Sequence, residues 1–293
     1  MKILTTLYDI KSMDELASLV DGFIIGNHDF GARLTHSFSI AEINKAIQKA
    51  DQLNKDIFLQ ANQMLDDHLI ESFNKFLDDI NLDKLSGIVV ADLGAVMLLK
   101  SKHLAHKAIY NPETLLTNTY DFNFLYKEHI LGAYVAKEIT LEDVKNIGNN
   151  KKIKLFMVGH GHLNMFYSKR QLVNNFMDFV EEDNIYHEKQ NLKIIEEQRK
   201  DEPYPILEDK AGTHVFRSHV FSSLNHLSEL ETVVDYLIID TIFKDDQYAK
   251  RILPMYQDRH GDQKLIDSLK SDYQESWDEA FFYKKTVYKT KES

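Results

Sequence analysis

Two histidines one residue apart, His160 and His162, close an apolar run and make the most conspicuous group of chemistry-bearing side chains in the chain. On an extended strand, residues two apart share a face. The pair could therefore present two imidazoles to one site, with Asp240 at the end of a later apolar run as a further ligand. No third or fourth histidine follows at a recognisable ligand position, and Gly159 and Gly161 leave the local backbone ill-defined. Hydrogen-bonded structural histidines satisfy the same pattern, and no metal is expected. An assembly of Glu138, Asp92 and His160 could instead do acid–base work if its surroundings bring the pKa values towards neutrality. Other catalytic signatures are missing. There is no Gly-x-Ser-x-Gly elbow and no His-Glu-x-x-His, since His187-Glu188 lacks the second histidine. Neither Gly26 and Gly31 nor Gly159 and Gly161 falls in a dinucleotide-binding or Walker pattern. The chain has no cysteine, which removes disulfides, thiolate nucleophiles and thiolate ligation of zinc or iron–sulfur clusters.

The elements that must position these residues follow one rhythm: a short apolar run, a polar turn, then an amphipathic helix. Eight strands are expected, at Ile3–Leu7, Gly22–Ile25, Ile57–Ala61, Ile88–Ala91, Ala108–Tyr110, Ala133–Ala136, Ile153–Val158 and Tyr236–Ile239. Ser39 with Glu42 makes a capping box ahead of Ile40, Ile43, Ala46, Ile47 and Ala50, which recur at helical spacing. Thr140 with Asp143 opens a second helix in the same way. The alternation predicts an α/β fold, a (β/α)8 TIM-like barrel, and 293 residues suffice for one such domain. The rhythm breaks between the seventh and eighth strands. There Leu192–Glu197 and Thr213–Phe216 resemble strands and Pro203, Pro205 and Gly212 punctuate the connection, so a β-rich insertion at about 183–220 is expected beside the barrel mouth. A helical C-terminal segment is expected at about 245–283, interrupted at Pro254, with a frayed polar stretch from Lys284.

In a β/α barrel, functional residues come from the C-terminal ends of the strands. In strand order these are Asp9; Asn27, His28 and Asp29; Gln60 and Asn62; Asp92; Asn111 and Glu113; Lys137 and Glu138; His160 and His162; and Asp240. Among them Asn27, His28, Asn62, Asn111 and Asp240 are candidates for substrate binding. A net charge of −11 disfavours non-specific contact with a phosphate backbone. A nucleic-acid role would need a local basic patch, from Lys151, Lys152 and Lys154, from Lys169 and Arg170, or from Lys284, Lys285, Lys289 and Lys291. No leader sequence or apolar run of membrane-spanning length is evident, so a cytoplasmic location without a membrane role is expected.

Several stretches resemble one family, the collagenase-like peptidases of family U32. Gly132–Glu142, GAYVAKEITLE, is similar to its "lGa-rvvlsrEls-e" strand, and His160–Asn174, HGHLNMFYSKRQLVN, resembles its signature "HGalCiaYSGrClLS". Asp92-Leu93-Gly94, Asn118 and Asp209–Phe216 (DKAGTHVF) look like the family's "sDlG", "tN" and "eD..Gt.ifns" segments, in the same order. The signature adds Tyr167 and Arg170 as binding candidates. Asn164 and Gln171 stand where it has cysteines, and the two later cysteines are also missing. The resemblance therefore implies a cluster-free protein without cofactor. It points to a smaller partner subunit of a four-cysteine paralogue in tRNA wobble-uridine 5-hydroxylation, with tRNA reached through the complex. The alternative it implies is a collagenase-like peptidase or other hydrolase acting at the barrel mouth.

Overall fold

The computed structural model describes residues 1–186, 189–197 and 200–283. The expected fraying from Lys284 onward lies outside them. Eight parallel strands close into a ring: β1 (Lys2–Thr6), β2 (Gly22–Gly26), β3 (Asp56–Ala61), β4 (Gly87–Val90), β5 (Ala108–Tyr110), β6 (Gly132–Tyr134), β7 (Lys154–Ser168) and, after the insertion, β11 (Tyr236–Ile239). Strand β11 pairs with β1 on one side and β7 on the other, which completes the barrel. All eight expected strands are present.

Each strand sends one apolar residue inward: Leu4, Ile24, Phe58, Val89, Ile109, Tyr134, Phe156 and Ile238 form a single buried cluster. The rings of Phe156 and Tyr236 stack at 4.4 Å within it. The barrel floor is thus a packed plug, and space for polar groups is left above it, at the C-terminal ends of the strands. A larger core lies between the strands and the surrounding helices.

The helices are α1 (Met13–Leu16), α2 (Ile40–Gln52), α3 (Asp67–Asp78), α4 (Leu93–Ser101), α5 (Thr119–Lys127), α6 (Leu141–Asn150), α7 (Leu172–Phe179), α8 (Leu227–Leu230), α9 (Asp246–Gln257) and α10 (Gln263–Asp272). Both expected capping boxes form, Ser39 with Glu42 on α2 and Thr140 with Asp143 on α6. Pro254 does not interrupt α9, which runs on to Gln257. The proline lies in the last turn, where the loss of one intrahelical bond is tolerated and Asp258 N–H still reaches the Pro254 carbonyl at 2.9 Å.

The extra strands lie between the seventh and eighth ring strands: β8 (Lys193–Ile194), β9 (Tyr204–Asp209) and β10 (Gly212–Ser222). Strand β7 is fifteen residues long. Its first part belongs to the ring, and its later part leaves the mouth and pairs antiparallel with β10. The departure therefore begins earlier than about 183. Strand β9 was not expected, because Pro203 and Pro205 suggested a loop; Pro205 sits near the start of β9, where its missing N–H is tolerated. After α10, β12 (Trp277–Asp278) pairs with β10 and brings the C-terminal segment back against the barrel.

Candidate functional site at the barrel mouth

A cavity lies above the apolar plug, lined by residues from the ends of several ring strands and from the insertion. Its polar lining includes Gln60, Asn62, Asn111, Glu113, Lys137, His162, Asn164, Asp240 and Arg33. Arg33 is one of its two cationic lining residues, with Lys137. The Arg33 side chain is buried and sits on the loop between β2 and α2 with φ of 55°, a left-handed conformation uncommon for a residue with a Cβ.

The loop is clamped from both sides. Asn62 Oδ1 accepts from Ala32 N at 2.9 Å, and Gln60 Nε2 donates to the Ala32 carbonyl at 2.9 Å. Arg33 N itself donates to Asp209 Oδ2 at 3.0 Å. Asn27 braces the start of the loop through Phe38 O and Asp29 N. Glu113 is also left-handed, with φ of 69° after β5, and its N–H is held by Asn111 Oδ1 at 3.2 Å. Left-handed Asn54, His103, His129, Glu181, Arg259 and Gln274 follow helix C-termini, where that conformation is ordinary. Arg33, Glu113 and Phe243 instead follow barrel strands; of the three, Arg33 and Glu113 line the cavity, and strain of this kind gathers at functional sites.

Arg33 and Glu113 are joined directly. Arg33 Nη2 donates to Glu113 Oε1 at 2.6 Å, and Lys137 Nζ donates to Glu113 Oε2. Burial alone would raise the Glu113 carboxyl, but Arg33 and Lys137 outweigh it and hold the group down at about 2. Burial lowers the Lys137 ammonium, with Glu113 opposing the change. The chain of contacts runs on into the insertion. Arg33 Nη1 lies 3.3 Å from His214 Nδ1, and His214 Nε2 lies 3.0 Å from Asp209 Oδ1. Since a guanidinium can only donate, His214 accepts at Nδ1 and carries its proton at Nε2. The guanidinium also lies over the Tyr167 ring at 5.3 Å. Gly212 makes the β9–β10 turn possible: its φ is 134°, and a Cβ there would stand 2.0 Å from the Ser168 carbonyl oxygen.

Asp240, at the end of β11, is the cavity's other carboxylate. It accepts from Ile242 N at 3.0 Å but has no ion-pair partner among the described residues. Burial pushes its carboxyl up to about 6, so it can hold or release a proton near neutral pH. His162 borders the cavity with Nδ1 3.0 Å from the Arg217 carbonyl. Burial lowers its pKa, which leaves Nε2 as an acceptor.

The other expected residues are dispersed. Asp92 caps α4, accepting from Gly94 N at 2.6 Å, and Glu138 is exposed; neither lines the cavity. His160 is fully buried between two tyrosine hydroxyls, 2.6 Å from Tyr248 and 3.2 Å from Tyr256, and burial lowers its pKa to about 3. Gly161 has φ of 132°, and the two histidines meet different surroundings: His160 two tyrosine hydroxyls and His162 the Arg217 carbonyl and the cavity. Asp9 caps a short 3-10 turn, His28 contacts Ser37 at 2.7 Å, and Asp29 pairs with Lys210 at 2.9 Å. Tyr167 donates to the Ala211 carbonyl at 3.0 Å, whereas Arg170 is exposed. Among the described residues, no group of three or more His, Asp or Glu is arranged to hold a metal ion. Arg33, Asp209 and His214 were missed as site residues. Asp209 and His214 lie in the DKAGTHVF stretch, so the resemblance contained their signal, while Arg33 sits in an unremarkable loop.

A closed β/α barrel with a polar mouth is the class that fold and site define. The chain belongs to Peptidase family U32, whose model matches residues 11–289. It is 23% identical over 286 residues to "tRNA hydroxylation protein P2" of Bacillus subtilis (strain 168), covering 91% of this chain and 92% of that one. It is also 23% identical over 231 residues to an uncharacterized protease of Methanocaldococcus jannaschii, covering 76% of this chain and 55% of that one. A solved U32 peptidase superposes with a TM-score of 0.52 at 14% identity, covering 82% of this chain and 92% of that one, which supports the fold.

Proposed function

We propose that this chain is the cluster-free subunit of a two-protein tRNA hydroxylase, acting with a four-cysteine paralogue in 5-hydroxylation of the wobble uridine. The observation that carries this reading is the similarity to tRNA hydroxylation protein P2 along nearly the whole of both chains. The positions at which the family signature has cysteines support the cluster-free part. Asn164 Nδ2 donates to the carbonyls of Phe166 and Val215 at 2.9 and 3.2 Å, and Gln171 Nε2 donates to the Asp209 carbonyl at 2.7 Å. Asn164 ties the outgoing part of β7 to β10, and Gln171, at the start of α7, ties that helix to the end of β9. These carboxamides do not fit a thiolate-held cluster.

Within this reading, Arg33, Glu113 and Lys137 form a rigid charged wall of the reaction site. Asp240 is its proton-holding group, and Asn62, Asn111 and His162 offer neutral hydrogen-bonding groups. Asp92 and His160 have structural roles, and Arg170 contributes from the exposed rim. A cytoplasmic location follows from the tRNA substrate. A peptidase reading has less support, because the described residues lining the cavity include neither serine nor cysteine. The test is mass spectrometry of tRNA from a strain lacking this chain. Loss of the wobble-uridine oxygen is the expected result, and an unchanged modification level would refute the assignment.

A further inference from the structure

The insertion carries a second concavity, distinct from the mouth. Helix α7 lies against β10, and between them runs an open groove lined mainly by Phe166, Leu172, Phe176, Ile194, Ile206 and Val215. Phe176 is 60% exposed and Phe179, on the same helix, 83%. Apolar side chains grouped this way on a surface mark an interaction site.

The charges around the groove narrow the choice of occupant. Asp178 on α7 and Glu181, Glu182 and Asp183 just after it are exposed, as is Glu197 beyond β8; against these five acids stand Lys193 in the lining and Lys189, which lies over the ring of the lining residue Tyr186 at 5.1 Å. An acidic rim repels a phosphate backbone and an anionic lipid surface alike. It would also face its own like charge across a two-fold axis, which disfavours a second copy of this chain. What fits is a different protein that offers apolar side chains ringed by lysine and arginine.

We infer that the α7–β10 groove is the docking face for the subunit partner, and that the partner's matching surface is apolar with a basic rim. This rests on the two-protein reading above. It adds where the partner sits and what chemistry it presents.

The experiment measures binding of the full chain to the four-cysteine paralogue from the same cell, by titration calorimetry at low and high salt. Folding of every variant is checked by circular dichroism. Phe176→Ser with Phe179→Ser should weaken binding at least about tenfold. Glu181→Lys with Glu182→Lys and Asp183→Lys should weaken it and remove most of its salt dependence. Tyr120→Ser, which removes an exposed aromatic on α5, should change nothing. If the wild type binds and the groove variants bind equally well, the docking face is wrong while the pairing reading stands. If the wild-type proteins do not associate, the pairing reading falls and takes the docking face with it. A homodimer of the wild type lost in the groove variants would replace the inference with self-association.

Discussion

Strand β10 serves two regions made of opposite materials. Thr213 and Val215 line the apolar groove, whereas His214 meets Arg33 and Phe216 lines the mouth cavity. The period of two along a strand allows one segment to face both. At the mouth, charged groups are buried and each is fixed by neighbours before any ligand arrives, which is what preorganised chemistry needs. In the groove, apolar groups are left in water, which suits association. Changes at the mouth should therefore alter stability and modification directly, and changes in the groove should leave stability alone and alter modification only through lost association.

The sharpest way to break that contrast is Glu113→Ala. It would leave two cations without their carboxylate, and removing one partner from a buried ion pair costs about 3–5 kcal/mol. Denaturant unfolding should show a loss of that order, with wobble-uridine hydroxylation gone. A small change would mean that the Arg33 and Lys137 contacts are not what holds the mouth together.

Asp240→Asn should act in the opposite direction on stability. The folded pKa of Asp240 is raised to about 6, above the unfolded value of about 3.9. The folded state therefore binds the proton more tightly. Stability falls as pH rises from about 4 to about 6 and stays reduced above that. Replacement by asparagine should flatten this window and add up to about 3 kcal/mol at pH 7. Glu113, held at about 2, has the reverse sign: its contribution is present above about pH 4.3 and lost as pH falls towards 2. Unfolding curves of the wild type and both variants across pH 2–8 would separate the two carboxylates.

Smaller effects test the groove and the rim. Phe176→Ser should leave stability within about 0.5 kcal/mol of the wild type, since the side chain is largely exposed, while association with the paralogue weakens. Glu138→Gln, at an exposed position outside the cavity, should leave the hydroxylated fraction within about twofold of the wild type in a complementation assay.

The barrel was legible in the sequence because apolar runs, turns and capping boxes agreed along the chain. Ser39 with Glu42 and Thr140 with Asp143 fixed two helix starts before any tertiary contact was known. The mouth was legible in part. Asn62, Asn111, Glu113, Lys137, His162 and Asp240 do line one cavity, whereas Asp9 and Asp92, also at strand ends, turn aside to cap helices and Glu138 faces solvent. Arg33 was not visible, since its place depends on a left-handed backbone held by Asn62, Gln60 and Asp209, three residues distant in sequence. The different surroundings of His160 and His162 were not visible either, because Tyr248 and Tyr256, which hold His160, lie some ninety residues further along the chain. Strand β9 was hidden by prolines that a strand terminus accommodates.

The most direct test of the account uses the deletion strain again, now carrying either the wild-type gene or Arg33→Lys at matched protein levels. Lysine keeps the charge but cannot reach Glu113 and His214 together, so the mouth loses its fork while the groove is untouched. The paralogue complex should still assemble, with the hydroxylated wobble-uridine fraction reduced at least about tenfold. Full restoration of the modification by Arg33→Lys would contradict this expectation.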